Sequence, residues 1–195
     1  MTTMHNNQPD NKIMIKLVVG TEAMFFLCLI MAFIYMAYHS GFEPHELNQL
    51  DLRTTGIYTL ALIASSFTLL LADRCLKKEK MRGLKGWLCL TLLLGATFLF
   101  GQGKEYIRLI RGSVTLNGSV FGSSFFTLTG FHGLHVFIGL VILSIILLLA
   151  FLGDYDKTVG RGSALSTAAI YWHFVDIVWI VVFAVVYVLP EFTRL

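Results

Sequence analysis

Charge is what this chain has least of. Only 14% of its 195 residues are charged and 56% are hydrophobic, with a mean hydropathy of +0.72. A soluble domain carries about 25% charged residues, so an ordinary water-soluble globule is excluded. Cysteine is nearly absent too. Cys28, Cys75 and Cys89 form neither a CxxC pair nor an even-numbered disulfide framework. Cys28 and Cys89 lie in apolar runs, where a thiol acts as a small hydrophobe. There is no internal repeat, low-complexity tract or soluble domain. No cleavable signal peptide is expected, because "MTTMHNNQPDNK" is polar and the first apolar run is too long for a signal core. No nucleic-acid partner is expected, and the net charge of +3 matters less than where the charges sit.

What is present is length of apolar run. About 20 apolar residues cross the hydrocarbon core as a helix, and lipid tolerates little else. Five stretches qualify, at about 13–39, 55–72, 84–101, 120–152 and 166–189. The prediction is an all-α integral membrane bundle of five transmembrane helices, with residues 1–195 as one domain. Basic residues favour the cytoplasmic side. Ten (Lys12, Lys16, Arg74, Lys77, Lys78, Lys80, Arg82, Lys85, Lys157, Arg161) fall on one side, against five (Arg53, Lys104, Arg108, Arg111, Arg194) on the other. The N-terminus is therefore expected inside and the C-terminus outside. "DRCLKKEKMRGLK" reads as an inner loop and "GKEYIRLIRGSVTLNGS" as an outer one, too short to fold alone.

Ionisable groups within spans cost a few kcal/mol or more and persist when paired or functional. Glu22 in "VVGTEAMFF", His132 and His135 in "TGFHGLHVFIG", and His173 and Asp176 in "YWHFVDIVW" need partners. Glu105 in "GQGKEY" sits near the outer end of span three, within reach of headgroup water. Counting residues puts Glu22, His173 and Asp176 at similar depth, so Glu22 is expected to meet His173 or His132. His132 and His135 fall further out. They share a helix face at i,i+3, as do His173 and Asp176. Trp172, Asp176, Trp179 and Phe183 form a second stripe on span five.

Three readings compete. An i,i+3 histidine pair cannot supply opposite axial ligands to one haem; a haem would need one of them to face His173. Copper or zinc would want three or four convergent ligands. A proton relay needs a polar path to both surfaces, and the outer halves of spans one and five are aliphatic. The third reading is cement: membrane helices associate through small residues and interhelical hydrogen bonds. Gly130, Gly133 and Gly139 give span four a shallow face beside its histidines.

Together, "GSVFGSSFFTLTGFHGLHVFIGL" and "YWHFVDIVWIVVFAVVYV" resemble the two C-terminal helices of cytochrome c oxidase subunit III. "GTEAMFF" is similar to that family's S/T-E-x-x-F-F stretch, "QGKEY" to its Q-x-x-E-Y stretch, and "ALIASSFTLLLA" to its second shared helix. The resemblance covers nearly the whole chain, in the short five-helix form without the first two helices of the long one. It implies an accessory, non-catalytic subunit of a bacterial haem–copper terminal oxidase of aa3 or caa3 type, in the bacterial inner membrane. This chain would hold no redox cofactor, with haem a and copper in partner subunits. Subunit I would be the direct packing partner, with subunit II, a small subunit IV and membrane phospholipids alongside. Carried over by position, Glu22, Glu105, Tyr106, His132, His135, Tyr171, Trp172, His173 and Asp176 become packing and lipid-contact residues. Arg74, Lys77 or Arg108 could meet headgroups, since anionic lipid favours basic sites. Alternatives are subunit III of a quinol oxidase, the related protein of nitric oxide reductase clusters, and a free-standing di-histidine cytochrome b.

Overall fold

A computed structural model describes residues 8–40, 50–112, 114–115, 119–152, 163–188 and 190. Lys157, Arg161 and Arg194 of the charge count lie outside the described residues. The elements are five long helices: α1 (Gln8–Ser40), α2 (Leu52–Lys77), α3 (Met81–Arg111), α4 (Val120–Leu152) and α5 (Ser163–Phe183). α5 continues into one π-helical turn, Ala184–Val188. All five are long and apolar enough to cross a membrane. No strand occurs among the described residues.

α2 and α3 outrun the predicted spans and absorb most of both supposed loops. Hydropathy stops at a charge, but a helix does not: its backbone bonds close internally, and long basic side chains reach the interface. Only residues 78–80 separate α2 from α3. Their turn has a Schellman geometry. The Glu79 amide donates to the Leu76 carbonyl at 2.9 Å and the Lys80 amide to the Cys75 carbonyl at 2.9 Å. This needs a left-handed residue at Glu79, whose φ is 55°, where glycine would be unstrained. At its other end α2 is capped by Asp51, which accepts from the Thr54 amide at 3.0 Å.

α2 and α3 form an antiparallel hairpin. α4 packs on α3, α5 and α1, and α5 also meets α2. At the centre are Trp172, Trp179, Phe98, Phe26 and His132, all nearly inaccessible. α1 covers this core along one stripe, Phe26, Ile30 and Phe33, while Leu17, Met24, Leu27, Met31 and Tyr38 face outward. Close approach has identifiable sites. A Cβ on Gly139 or Gly95 would come within 2.8 Å of the Trp172 ring, and one on Gly101 within 2.3 Å of the Tyr58 ring.

Candidate functional site

Three clusters of polar groups stitch different helices together. The first lies where α2 begins. Glu105 of α3, 6% exposed, accepts from Thr55 Oγ1 at 2.9 Å and Tyr187 OH at 2.7 Å on one oxygen. Its other oxygen pairs with Arg108 Nη2 at 3.3 Å, and Arg108 Nη1 reaches Asp51 at 3.0 Å. The π turn ending α5 leaves Tyr187 buried and in reach of this carboxylate. Hydrogen bonds from the Thr54 hydroxyl and amide, aided by Arg108, hold the Asp51 carboxyl down to about 2 despite partial burial. Glu105 is thus a buried tie between three helices, not a group in headgroup water. Arg108 is engaged in that tie as well.

The second cluster is a seam between α2 and α5. His173 Nδ1 stands 2.9 Å from Ser66 Oγ, and the Ser66 hydroxyl donates to Asp176 Oδ2. Ser66 has one proton and gives it to Asp176, so His173 Nδ1–H is the donor to Ser66. On either side, Trp172 Nε1–H donates to Ser65 Oγ at 3.0 Å and Trp179 Nε1–H to Thr59 Oγ1 at 2.9 Å. Ser166 donates to Asp73 at 3.5 Å where α2 ends. The hydroxyls of α2 went unnoticed in the sequence. The available signal was Asp51, Thr55, Thr59, Ser66 and Asp73, which recur at helical spacing along one stripe.

The third cluster joins α1 to α4. Glu22 Oε2 meets His135 Nε2 at 3.1 Å, so its partner is neither His173 nor His132. His135 Nδ1 lies 2.7 Å from the Phe131 carbonyl, which can only accept, so Nδ1 carries a proton. Glu22, 33% exposed, thus has an imidazole partner within the bundle rather than apolar neighbours alone. Tyr171 OH donates to the His135 carbonyl at 3.2 Å, adding α5 to the joint. Residue counting from Ile13 sets Glu22 and His135 at different depths; α1 starts five residues earlier, at Gln8, so Glu22 lies deeper than that count gives.

His132 behaves otherwise. It is fully buried, stacked on Trp179 at 4.7 Å between ring centroids, with Phe98 at 5.9 Å and Phe26 at 6.4 Å edge-on. Neither ring nitrogen has a protein partner among the described residues. Next to it, Gln102 Nε2 donates to the Thr129 carbonyl at 2.7 Å and Tyr106 OH pairs with Thr129 Oγ1 at 2.8 Å. These link α3 to α4. All nine residues singled out in the sequence therefore lie within or beside the interior seams. The structure joins Glu22 with His135, His173 with Asp176 through Ser66, and Tyr171 with His135. His132 and Glu105 stand in separate places. Among the described residues, no three His, Cys, Asp or Glu side chains group so as to hold a metal ion.

Five apolar helices joined by internal polar seams, with an apolar outer surface, define a polytopic helical membrane protein. Similarity to known proteins agrees over nearly the full length. The family model described as cytochrome c oxidase subunit III matches residues 3–190. Cytochrome c oxidase subunit 3 of Thermostichus vulcanus is 39% identical over 189 residues, covering 96% of this chain and 92% of that one. The probable cytochrome c oxidase subunit 3 of Nocardia farcinica is 39% identical over 170 residues, 87% of this chain and 83% of its own. For cytochrome c oxidase subunit 3 of Synechocystis sp. the figures are 37% over 188 residues, 95% and 78%. The chain belongs to the cytochrome c oxidase subunit III family. That family is a subunit of a membrane-bound respiratory enzyme complex, which matches the five spanning helices.

Proposed function

We propose that this chain is the accessory subunit III of a bacterial haem–copper terminal oxidase of aa3 or caa3 type, in the inner membrane. It stabilises subunit I and its proton-uptake side and takes no electron itself. Haem a and copper reside in subunits I and II, and a small subunit IV completes the assembly. The N-terminus faces the cytoplasm, as the excess of basic residues on that side requires.

One observation carries the reading: the intramembrane ionisable side chains point at each other or at hydroxyls of neighbouring helices. Glu22 is turned to His135, Asp176 and His173 to Ser66, and Glu105 to Thr55, Tyr187 and Arg108. His132 is enclosed by Trp179, Phe98 and Phe26, which would have to part before a haem iron could reach it. Such an arrangement joins helices and offers no open position for substrate.

Extraction in mild detergent, followed by peptide identification of whatever travels with the chain, tests this directly. A large subunit with histidine ligands for haem and copper is expected at one-to-one stoichiometry. Recovery of the chain alone, with its own Soret band lost on substituting His132 or His173, would overturn the reading. Within the assembly, Glu22→Gln should leave initial oxygen turnover near normal. Prompt loss of all turnover in an intact complex would assign this chain a direct part in the chemistry.

A further inference from the structure

Of the buried side-chain polar atoms without a protein partner among the described residues, three belong to two neighbouring side chains: Gln102 Oε1 on α3, and both ring nitrogens of His132 on α4. The Gln102 amide is not free to turn. Its Nε2 donates to the Thr129 carbonyl at 2.7 Å, an atom that can only accept, so the orientation of the amide is fixed. Thr129 Oγ1 gives its own proton to the Phe125 carbonyl at 2.7 Å, so Tyr106 OH donates to Thr129. Tyr106 then presents a lone pair to Gln102 Nε2, 3.5 Å away. Both amide protons are thereby engaged, and Oε1 is left as an acceptor inside the bundle.

The two groups are set side by side. Thr129 and His132 stand one turn apart on α4, and the α3 residues they touch, Gln102 and Phe98, are also one turn apart. Oε1 lies over Gly133, the residue after His132, where a Cβ would stand 3.1 Å from it. Glycine has no side chain there, which leaves room beside the oxygen. Neither group can close on the other directly. The imidazole is stacked on Trp179 with Phe98 and Phe26 edge-on, and the amide is held by Thr129. Buried polar atoms that lack a protein partner are commonly met by an internal water, which makes about three hydrogen bonds. A neutral imidazole offers one donor and one acceptor, and water complements either. We infer that the α3/α4 interface binds one water molecule between Gln102 Oε1 and a ring nitrogen of His132. The water donates one proton to Oε1 and meets the ring with its other proton or with a lone pair. His132 thereby joins the tie that Gln102, Tyr106 and Thr129 form between α3 and α4. The inference concerns the bundle itself and holds whatever complex the chain enters.

The test uses the full chain with its co-purifying subunits in nanodiscs. A density map fine enough to show single waters should contain one isolated peak within about 2.7–3.2 Å of both Gln102 Oε1 and a His132 nitrogen. Water-edited solid-state NMR with isotope-labelled histidine reads the same contact independently. The His132 ring signal, identified by its loss in His132→Phe, should gain magnetisation from water protons. Gln102→Met keeps the length of the side chain and removes the oxygen. It should lose most of that transfer at His132 and leave His135 unchanged, because both nitrogens of His135 are held by Glu22 and the Phe131 carbonyl. If Gln102→Met prevents assembly, the wild-type map and spectrum decide. No peak between the two side chains, or a His132 ring turned to bond Gln102 Oε1 directly, overturns the inference. Transfer at His132 that survives in Gln102→Met, or that falls equally at His135, overturns the place of Gln102 in the site.

Discussion

Gly139→Ala tests the packing account most sharply. A methyl at Gly139 would come within 2.8 Å of Trp172 Cε3 and 2.9 Å of Cζ3. Carbon atoms sit best about 3.5–4.0 Å apart, so the ring must retreat by roughly 0.7–1 Å. It has nowhere to go. The same six-membered ring already lies where a Cβ on Gly95 would be at 2.8 Å, and the indole nitrogen is tethered to Ser65 Oγ at 3.0 Å. Overpacking of this kind costs about 1–3 kcal/mol. Alanine is also the better helix former by about 1 kcal/mol, which would mask part of the loss. Gly20→Ala supplies the correction, since a methyl there meets nothing within 4 Å. The difference between the two variants is then the overpacking cost alone. Reversible unfolding in mixed micelles should place Gly139→Ala about 1–3 kcal/mol below Gly20→Ala. Equal stabilities would refute the tight contact between α4 and α5. Gly133→Ala should fall between them, because its Cβ would press at 3.1 Å on the amide oxygen of Gln102, the end of a longer side chain. Gly133→Leu should displace Gln102 and lower assembly yield.

Glu79→Gly should raise stability by about 0.5 kcal/mol or more. It relieves a left-handed residue costing about 1–2 kcal/mol, less the greater freedom of glycine in the unfolded chain; an unchanged unfolding midpoint would refute the strain. Glu105→Leu leaves the buried Tyr187 and Thr55 hydroxyls without their acceptor, while Arg108 keeps Asp51, and should cost about 1–3 kcal/mol, against much less for Glu105→Gln. Comparable yields of the two assembled variants would count against the tie. Asp51 gives a dependence on pH. Its folded value, about 2, lies below the ordinary 3.8, so its contribution is complete above pH 4 and is lost as pH falls towards 2. The shift is worth about 2.4 kcal/mol at full strength and about 1 kcal/mol after screening, because the side chain is 35% exposed. The gap between unfolding curves of wild type and Asp51→Ala should narrow from pH 4 down to about 2; a constant gap at all pH values would contradict that assignment.

α1 and α4 were legible because their apolar runs are long enough to outweigh the few ionisable residues in them; α4 has the expected ends, and α1 starts five residues early, at Gln8. α2 and α3 start within three residues of expectation but run on past the expected ends, α2 by five residues and α3 by ten. Asp73, Arg74 and Lys77 mark the end of a span by composition, yet all three sit in the last turns of α2, with Lys77 paired to Asp73. Glu105 was misjudged for the same reason: Lys104 beside it is exposed, but on a helix adjacent residues face different ways. That Glu22 needed a partner followed from cost alone. Which partner it found depended on how α1 packs against α4, which no residue count supplies. Ser66 carried no signal of its own, because a serine in a helix usually bonds its own backbone, as Ser65 does to the Leu62 carbonyl at 2.6 Å.

The α2/α5 seam resembles a proton path until its members are taken one at a time. His173 can pass a proton to Ser66 and Ser66 to Asp176, since imidazole and hydroxyl both donate and accept. Beyond Asp176 the next polar contact on the seam is Trp179 Nε1–H on Thr59, and beside Ser66 it is Trp172 Nε1–H on Ser65. An indole N–H donates only, so it holds a hydroxyl in place and hands nothing on. The seam is therefore a fastening with a short polar segment inside it. Ser66→Ala separates the two roles. As a fastening, Ser66 contributes to stability: removing it leaves His173 and the buried Asp176 without their link and should cost about 1–3 kcal/mol. As a relay, it would instead govern the proton-to-electron ratio of the reconstituted assembly. Lower thermal stability with an unchanged ratio is expected. A reduced ratio in a variant of undiminished stability would make the segment part of a proton route.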